Sequence, residues 1–252
     1  MENKKSLYHF LLRLGDDNLI AGQRMAEWCS RGPILEEDLA MVNVSLDYFG
    51  QAESFLEYAA ELSANGKDAD DLAFGRSERE YFNHLLVEQP NGDFAFSIIK
   101  LLFFSAYQRE LYLMLTKSSD ERIAAIASKA VKESRYHFRH ASEWTIRLAK
   151  GTDESFRRVQ FALNELMPYS ENLFESNEVN VELEAAAIAP SMALVKESWI
   201  LSLKAVMSNA GLNMPKPVHM FRGGINGYHT EHLGHLLCEM QYLHHAHPGA
   251  KW

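Results

Sequence analysis

The stretch VKESRYHFRH, residues 131–140, places a glutamate and a histidine where a helix should bury apolar side chains. Stepping alternately by three and four from Ile123 passes through Ile126, Ala130, Glu133, His137, His140 and Trp144, and residues so spaced share one helix face. A buried ionisable pair costs free energy unless each member is hydrogen-bonded, paired or bound to a metal. One compensating chemistry is known for bundles of this kind. Four-helix carboxylate proteins hold two metal ions with one Glu from each of two helices and a Glu-x-x-His from each of the other two. That spacing brings a hard oxygen donor and an imidazole to one cation.

The other helices do not complete such a set. In LDYFGQA, Asp47 stands three residues before Gly50, a Glu-x-x-His frame with a shorter acid and no side chain where the imidazole belongs. The helix carrying Leu101 and Tyr112 has Ser105 and Gln108 on its seam, where a bridging carboxylate would be needed. The first helix has only Asp17 and Asn18 near the required depth, and Glu133 is followed at three residues by Tyr136, with His137 one further on. Of the six ligands of the carboxylate site, two have candidates here, one is displaced, one is unassigned and two are absent. So few anionic groups would leave two iron ions under-neutralised. Asp47, Glu133 and His137 are therefore the candidate residues of a relic slot, and no metal is expected in this chain. Their expected partners are each other across one turn, or Arg135, Lys132, Asp47 and Gln51; ordinary core hydrogen bonding would satisfy them equally.

The elements that must position these residues are read from helical period, which runs through nearly the whole chain. Helices are expected over about 6–29, ending at RGP, and from Glu36 to Ser63, ending in SANGKDADD. A short third helix spans SEREYFNHLLVEQ, opened by the capping-box pair Ser77 and Glu80 and stopped by Pro90. Phe94, Ile98, Leu101, Tyr112 and Leu115 mark a fourth, and after TKSSD the fifth runs to about Lys150. That five-residue connection makes the last two antiparallel neighbours. Further helices are expected over 153–175, 190–210 and 230–246, with NMPKPVHMFRGGINGYHT as a loop. The fold class is thus an all-α bundle of four long helices with accessory helices, in a single domain over 1–252.

Composition excludes several functions. The chain has 252 residues, 47% of them apolar, and a net charge of −9 with no basic stripe, so a sizeable core is expected and nucleic acid is not. Cys29 and Cys238 are too few for a disulfide framework. With no apolar run long enough to span a bilayer, no membrane association is expected and the protein is read as cytoplasmic. In the histidine-rich end, EHLGH has its histidines three apart and Glu231 outside them, which is not the metalloprotease frame. A surface or interface role is expected there, with adventitious Zn or Ni binding as a second reading. RGGING lacks the Gly-Lys-Ser/Thr ending of a phosphate loop and reads as a flexible turn.

FGQAESFLEYAAEL, FNHLLVEQPNGDFA, KAVKESRYHFRHASEW and the terminal GGINGYHTEHLGHLLCEMQYLHHAHPGAKW together resemble the structural C-subunit family of bacterial 1,2-phenylacetyl-CoA epoxidases. The resemblance runs from the first helix to the last residue. It implies a ferritin-like fold without the catalytic iron, a homologous catalytic subunit that holds a di-iron centre, and reductase components that supply electrons to it. The system it implies inserts one oxygen atom into the ring of phenylacetyl-CoA in aerobic phenylacetate degradation. No catalytic or cofactor-binding residue is carried over to this chain. A hetero-oligomer is expected, or a homodimer when the chain is alone. The expected role is a buttress that restrains the partner's ligand-bearing helices, with Trp28, Phe55, Tyr58, Phe103, Phe104 and Tyr107 as contact candidates against ordinary burial. Two other readings are a catalytic ferritin-like oxidase or oxygenase using Asp47, Glu133, His137 and an unassigned acid, and a ferritin-type storage protein.

Overall fold

The computed structural model describes residues 2–63, 66–216 and 219–250. Four long helices form the centre: α1 (Glu2–Ala26), α2 (Leu35–Ser63), and then, after α3 (Ala69–Phe74) and α4 (Leu85–Glu88), α5 (Phe94–Leu115) and α6 (Glu121–Ala149). Around them lie α7 (Asp153–Leu166), α8 (Glu178–Ala185), α9 (Met192–Ala210), α10 (Glu231–Met240) and α11 (Tyr242–Ala246). No strand occurs among the described residues. The α1–α2 hairpin packs against the α5–α6 hairpin around one contiguous apolar cluster. α5 is apolar on every side because α7 and α9 cover the faces that α6 leaves open.

Local chemistry starts the helices where the sequence predicts. Asp93 accepts from Phe96 N at 2.9 Å to begin α5, and Asp120 from Ile123 N at 2.9 Å to begin α6. Close packing within the first hairpin depends on glycine. A Cβ on Gly15 would lie 2.5 Å from Leu56, and one on Gly22 2.9 Å from the Phe49 ring. Gly50 differs: it is in mid-helix, and an added Cβ meets nothing within 4 Å. Glycine there costs roughly 0.5–1 kcal/mol relative to alanine.

Several expectations are corrected. The predicted third helix is split into a 3-10 turn, Glu78–Glu80, and the single turn of α4, with extended backbone at 81–84 between them. Ser77 and Glu80 do form the capping box, but it caps only the turn Glu78–Glu80. Residues 81–84 then run straight because α1 captures their backbone: Asp16 accepts from Phe82 N at 2.9 Å and Asp17 from His84 N at 2.7 Å. α3, inside the stretch read as a terminating loop, starts at a capping box between Asp68 and Asp71; Ala64 and Asn65 of that stretch lie outside the described residues. α8 was not anticipated. The helix expected over 153–175 stays α-helical to Leu166 and tightens into a 3-10 segment, Met167–Phe174, with Pro168 at its start. The last helix breaks at Gln241, whose Nε2 donates to Arg76 O at 2.7 Å and Tyr81 Oη at 3.0 Å. RGGING is packed tightly: a Cβ on Gly224 would lie 2.4 Å from Asn83 O, and Gly223 N donates to Glu175 at 2.9 Å. Pro217 and Val218, in the same predicted loop, lie outside the described residues.

Candidate functional site

Glu133 and His137 lie on the side of α6 that meets α2, in a ladder of polar pairs. His137 Nε2 is 2.9 Å from Asp47 Oδ2, and Gln51 Nε2 donates to Glu133 Oε2 at 2.7 Å. Next to them His140 Nε2 lies 3.1 Å from Glu37 Oε2, without the alignment of a hydrogen bond. At the far end of α2, Tyr58 donates to Asp120 at 2.7 Å and Arg122 pairs with Glu61. Two of the anticipated partners, Asp47 and Gln51, are thus the observed ones. A direct Glu133–His137 bond is not formed. The seam is also shifted from simple counting. Buried on α6 are Ile123, Ala127, Ala130, Ser134, His137, Ala141 and Thr145, whereas Glu133, His140 and Trp144 flank that stripe.

Asp47 is not aimed at the bundle axis. Its side chain is 37% exposed, and α2 turns Val44, Tyr48, Gln51, Ala52 and Phe55 inward instead. The Asp47-x-x-Gly50 frame therefore faces the rim. His137 is fully buried, and because a carboxylate only accepts, its Nε2 donates to Asp47. His137 Nδ1, Tyr48 Oη, Gln51 Oε1 and Glu37 Oε2 are buried without hydrogen-bond partners. Burial pushes the Tyr48 phenol well up. His140 is lowered by burial, against the opposing pull of Glu37.

The centre of the bundle, where α1 faces α5, is a set of neutral groups bonded to one another, with only Gln108 Oε1 left without a partner. Asn18 Nδ2 donates to Tyr112 Oη at 2.9 Å and to Leu14 O at 2.7 Å. Gln108 Nε2 donates to Asn18 Oδ1 at 2.8 Å and to Tyr112 Oη at 3.2 Å. All three side chains are buried, and burial raises the Tyr112 phenol. Ser105 turns back to its own helix, donating to Leu101 O at 2.6 Å. Two amides and a phenol bound to one another supply no anion to neutralise a pair of divalent ions. The acids that act on Tyr112 are already used, Asp17 by His84 and Glu133 by Gln51. Among the described residues no three His, Cys, Asp or Glu side chains converge on a common point. This donor set does not fit a di-iron centre.

A third cluster escaped the sequence reading. Glu88, fully buried, accepts from Thr230 N at 2.7 Å and Thr230 Oγ1 at 2.8 Å on one oxygen. Its other oxygen accepts from Asn83 Nδ2 and His229 Nδ1, each at 2.9 Å. Arg24 donates to the carbonyls of Glu88 and His232, tying α1 to the same knot. Beside it Asp17 holds His84 Nδ1 at 2.7 Å and Asp16 pairs with Arg76. Burial works against the Arg76 charge, but Asp16 outweighs it and leaves the guanidinium above its ordinary value. His229 is likewise raised: burial lowers it, and Glu88 more than compensates. Lys100, buried and donating to Gln89 O at 2.6 Å, is pushed down to about 7 by burial. The signal for this clasp was the run of three polar residues, Asp16, Asp17 and Asn18, between the apolar positions Leu11, Leu12, Leu14 and Leu19, Ile20, Ala21 of α1.

Four of the six aromatic contact candidates are interior, and Trp28 and Tyr58 are partly buried. Phe55, Phe103, Phe104 and Tyr107 are buried in the core, Trp28 donates to Ser97 at 2.9 Å, and Tyr58 is held by Asp120. Their excess over one narrow seam is absorbed by accessory helices, as where the Trp199 ring of α9 packs edge-on against Phe103. Of the terminal histidines, His229 is internal, while His235, His245 and His247 are exposed. Cys29 and Cys238 are free and exposed. No described helix is long and apolar enough to cross a membrane.

A helical bundle with a polar centre of this kind is matched along its whole length, residues 1–252, by the family model of phenylacetic acid catabolic proteins, and the chain belongs to that family. Its fold is accordingly the all-α, ferritin-like bundle with accessory helices. Within the family it is similar to the C subunit of the 1,2-phenylacetyl-CoA epoxidase of Escherichia coli (strain K12), with 45% identity over 243 residues, 96% of this chain and 98% of that relative.

Proposed function

We propose that this chain is a non-catalytic, assembly-forming subunit of a phenylacetyl-CoA epoxidase, a cytoplasmic hetero-oligomer of phenylacetate degradation. In this reading a homologous subunit holds the di-iron centre and reductase components supply its electrons. The chain at hand supports that subunit's helices through an interface. What carries the reading is the layer of Asn18, Gln108 and Tyr112. Its members are joined by neutral hydrogen bonds at the depth where a carboxylate bundle needs anions, and the Gln108 Oε1 left without a partner adds no charge. The similarity to an epoxidase subunit supplies the reaction system.

Turnover measurements on separated and recombined subunits test the proposal. Alone, the chain is expected to give no oxygen-dependent conversion of phenylacetyl-CoA. With the catalytic subunit it is expected to form a stoichiometric complex that does so when the reductase is supplied. Oxygen-dependent turnover by this chain in isolation would favour the catalytic-bundle reading instead.

A further inference from the structure

α2 has a second apolar stripe that the fold leaves largely uncovered. Leu35, Leu39 and Leu46 are 71%, 55% and 60% exposed, and with Val42 and Phe49 they recur in alternating steps of four and three. That is the spacing at which one helix offers a seam to another, here over about 21 Å of helix. The seam runs into a groove of about 720 Å³ between α1, α2 and α3, with Phe49, Leu56 and Phe74 among its apolar walls. Glu53, Glu57, Asp68 and Asp70 also line it, and no Lys or Arg does.

Gly50 lies in the same lining. The other helical glycines of the described residues, Gly15, Gly22 and Gly234, each have a neighbouring side chain within 3 Å of where a Cβ would stand, whereas Gly50 has none within 4 Å. Its lack of a side chain therefore serves nothing inside this chain. It does leave a low point on the outward face, where another backbone can come close.

We infer that the α2–α3 groove docks a helix of a partner subunit whose apolar residues, spaced three and four apart, are flanked by Lys or Arg. This mode reads apolar anchors in a groove and charge at its rim. The acidic lining disfavours two other occupants. A second copy of this chain seated face to face would oppose the same carboxylates, and the phosphates of a coenzyme A thioester would be repelled. The inference rests on the assembly role proposed above and assigns it a surface.

The test is the affinity of the purified full-length chain for the purified catalytic subunit, measured at low and high salt. Gly50→Leu fills the low point with a better helix former and is expected to melt no lower than the parent, yet to bind at least tenfold more weakly. Glu53→Lys/Glu57→Lys is expected to lose at least tenfold at low salt and to show a shallower salt dependence. Glu197→Lys, at an exposed position of α9, is the charge control and is expected to bind as the parent does. Parent binding that survives both groove variants would overturn the groove and leave the assembly role standing, as would an equal loss in Glu197→Lys. A groove variant that only dissociates a homodimer would identify a second copy as the occupant and overturn the basic helix. A parent chain that binds no epoxidase component at micromolar concentration would overturn the assembly role, and the groove with it.

Discussion

The clasp around Glu88 and the seam between α2 and α6 are built from the same residue types, carboxylate against imidazole, and treat them differently. In the clasp every oxygen of Asp16, Asp17 and Glu88 accepts a hydrogen bond, and the three acids are almost wholly buried. In the seam Asp47 is more than a third exposed, and Tyr48, Gln51 and His137 each keep a buried polar atom unpaired, against one such atom, Asn83 Oδ1, in the clasp. An unpaired buried polar atom costs about 1–3 kcal/mol. The clasp therefore contributes to holding the chain together, whereas the seam is a place where stability is given up. It lies beside the outward stripe of α2, so the loosest polar packing adjoins the surface to which a partner is assigned.

Breaking the two regions in turn should show this difference. Glu88→Ala strands His229, Thr230 and Asn83 at once, and removing one partner of a buried pair costs about 3–5 kcal/mol. Urea denaturation should show a loss of that size, and limited proteolysis should open the chain near residues 228–232. Tyr112→Phe removes the oxygen that accepts from Asn18 and Gln108, and a loss of about 1–3 kcal/mol is expected in the same assay. Asp47→Ala strands a single buried nitrogen of His137, and because water can reach the partly exposed Asp47 position the loss is expected at the low end of that range, about 1 kcal/mol. A loss at Asp47 as large as that at Glu88 would erase the distinction between the regions.

Acidity sharpens it further, because the two histidines shift in opposite directions. His229 is raised in the fold above the ordinary imidazole value of 6.5. Its contribution is complete below that value and is lost as pH climbs through the raised one. His140, facing Glu37, Glu143 and His137, is lowered. Its contribution is present above 6.5 and is lost as pH falls through the lowered value. His229→Gln should therefore remove a stability loss on the alkaline side, and His140→Gln one on the acid side. Melting curves across pH 5–8 check both, and matching slopes from the two variants would contradict the assignment.

The long helices were legible because burial against a bundle imposes a period that Leu, Ile and Ala repeat for many turns. Glu133 and His137 stood out because they interrupt it, and their partners Asp47 and Gln51 were among the candidates counted from spacing. The exact facing of α2 was not legible. That helix is apolar on two sides, so counting cannot distinguish the stripe turned inward at Val44 and Tyr48 from the one turned outward at Leu39 and Leu46. The strap at residues 81–84 was hidden for another reason. Its local signals favour helix, and the groups that hold it extended are distant in the chain, two aspartates of α1 and His229 on the Tyr81 carbonyl. Likewise, nothing local to Phe103 or Tyr107 says that Trp199 of α9 and Phe174 of the 3-10 segment will cover them.

The central claim is that neutral groups close the bundle centre against a metal pair. It is tested most directly by incubating the purified chain anaerobically with excess ferrous iron, removing unbound metal and measuring the iron retained. The account predicts far less than one iron per chain and an unchanged melting curve. Two irons retained per chain, with a raised melting temperature, would contradict it.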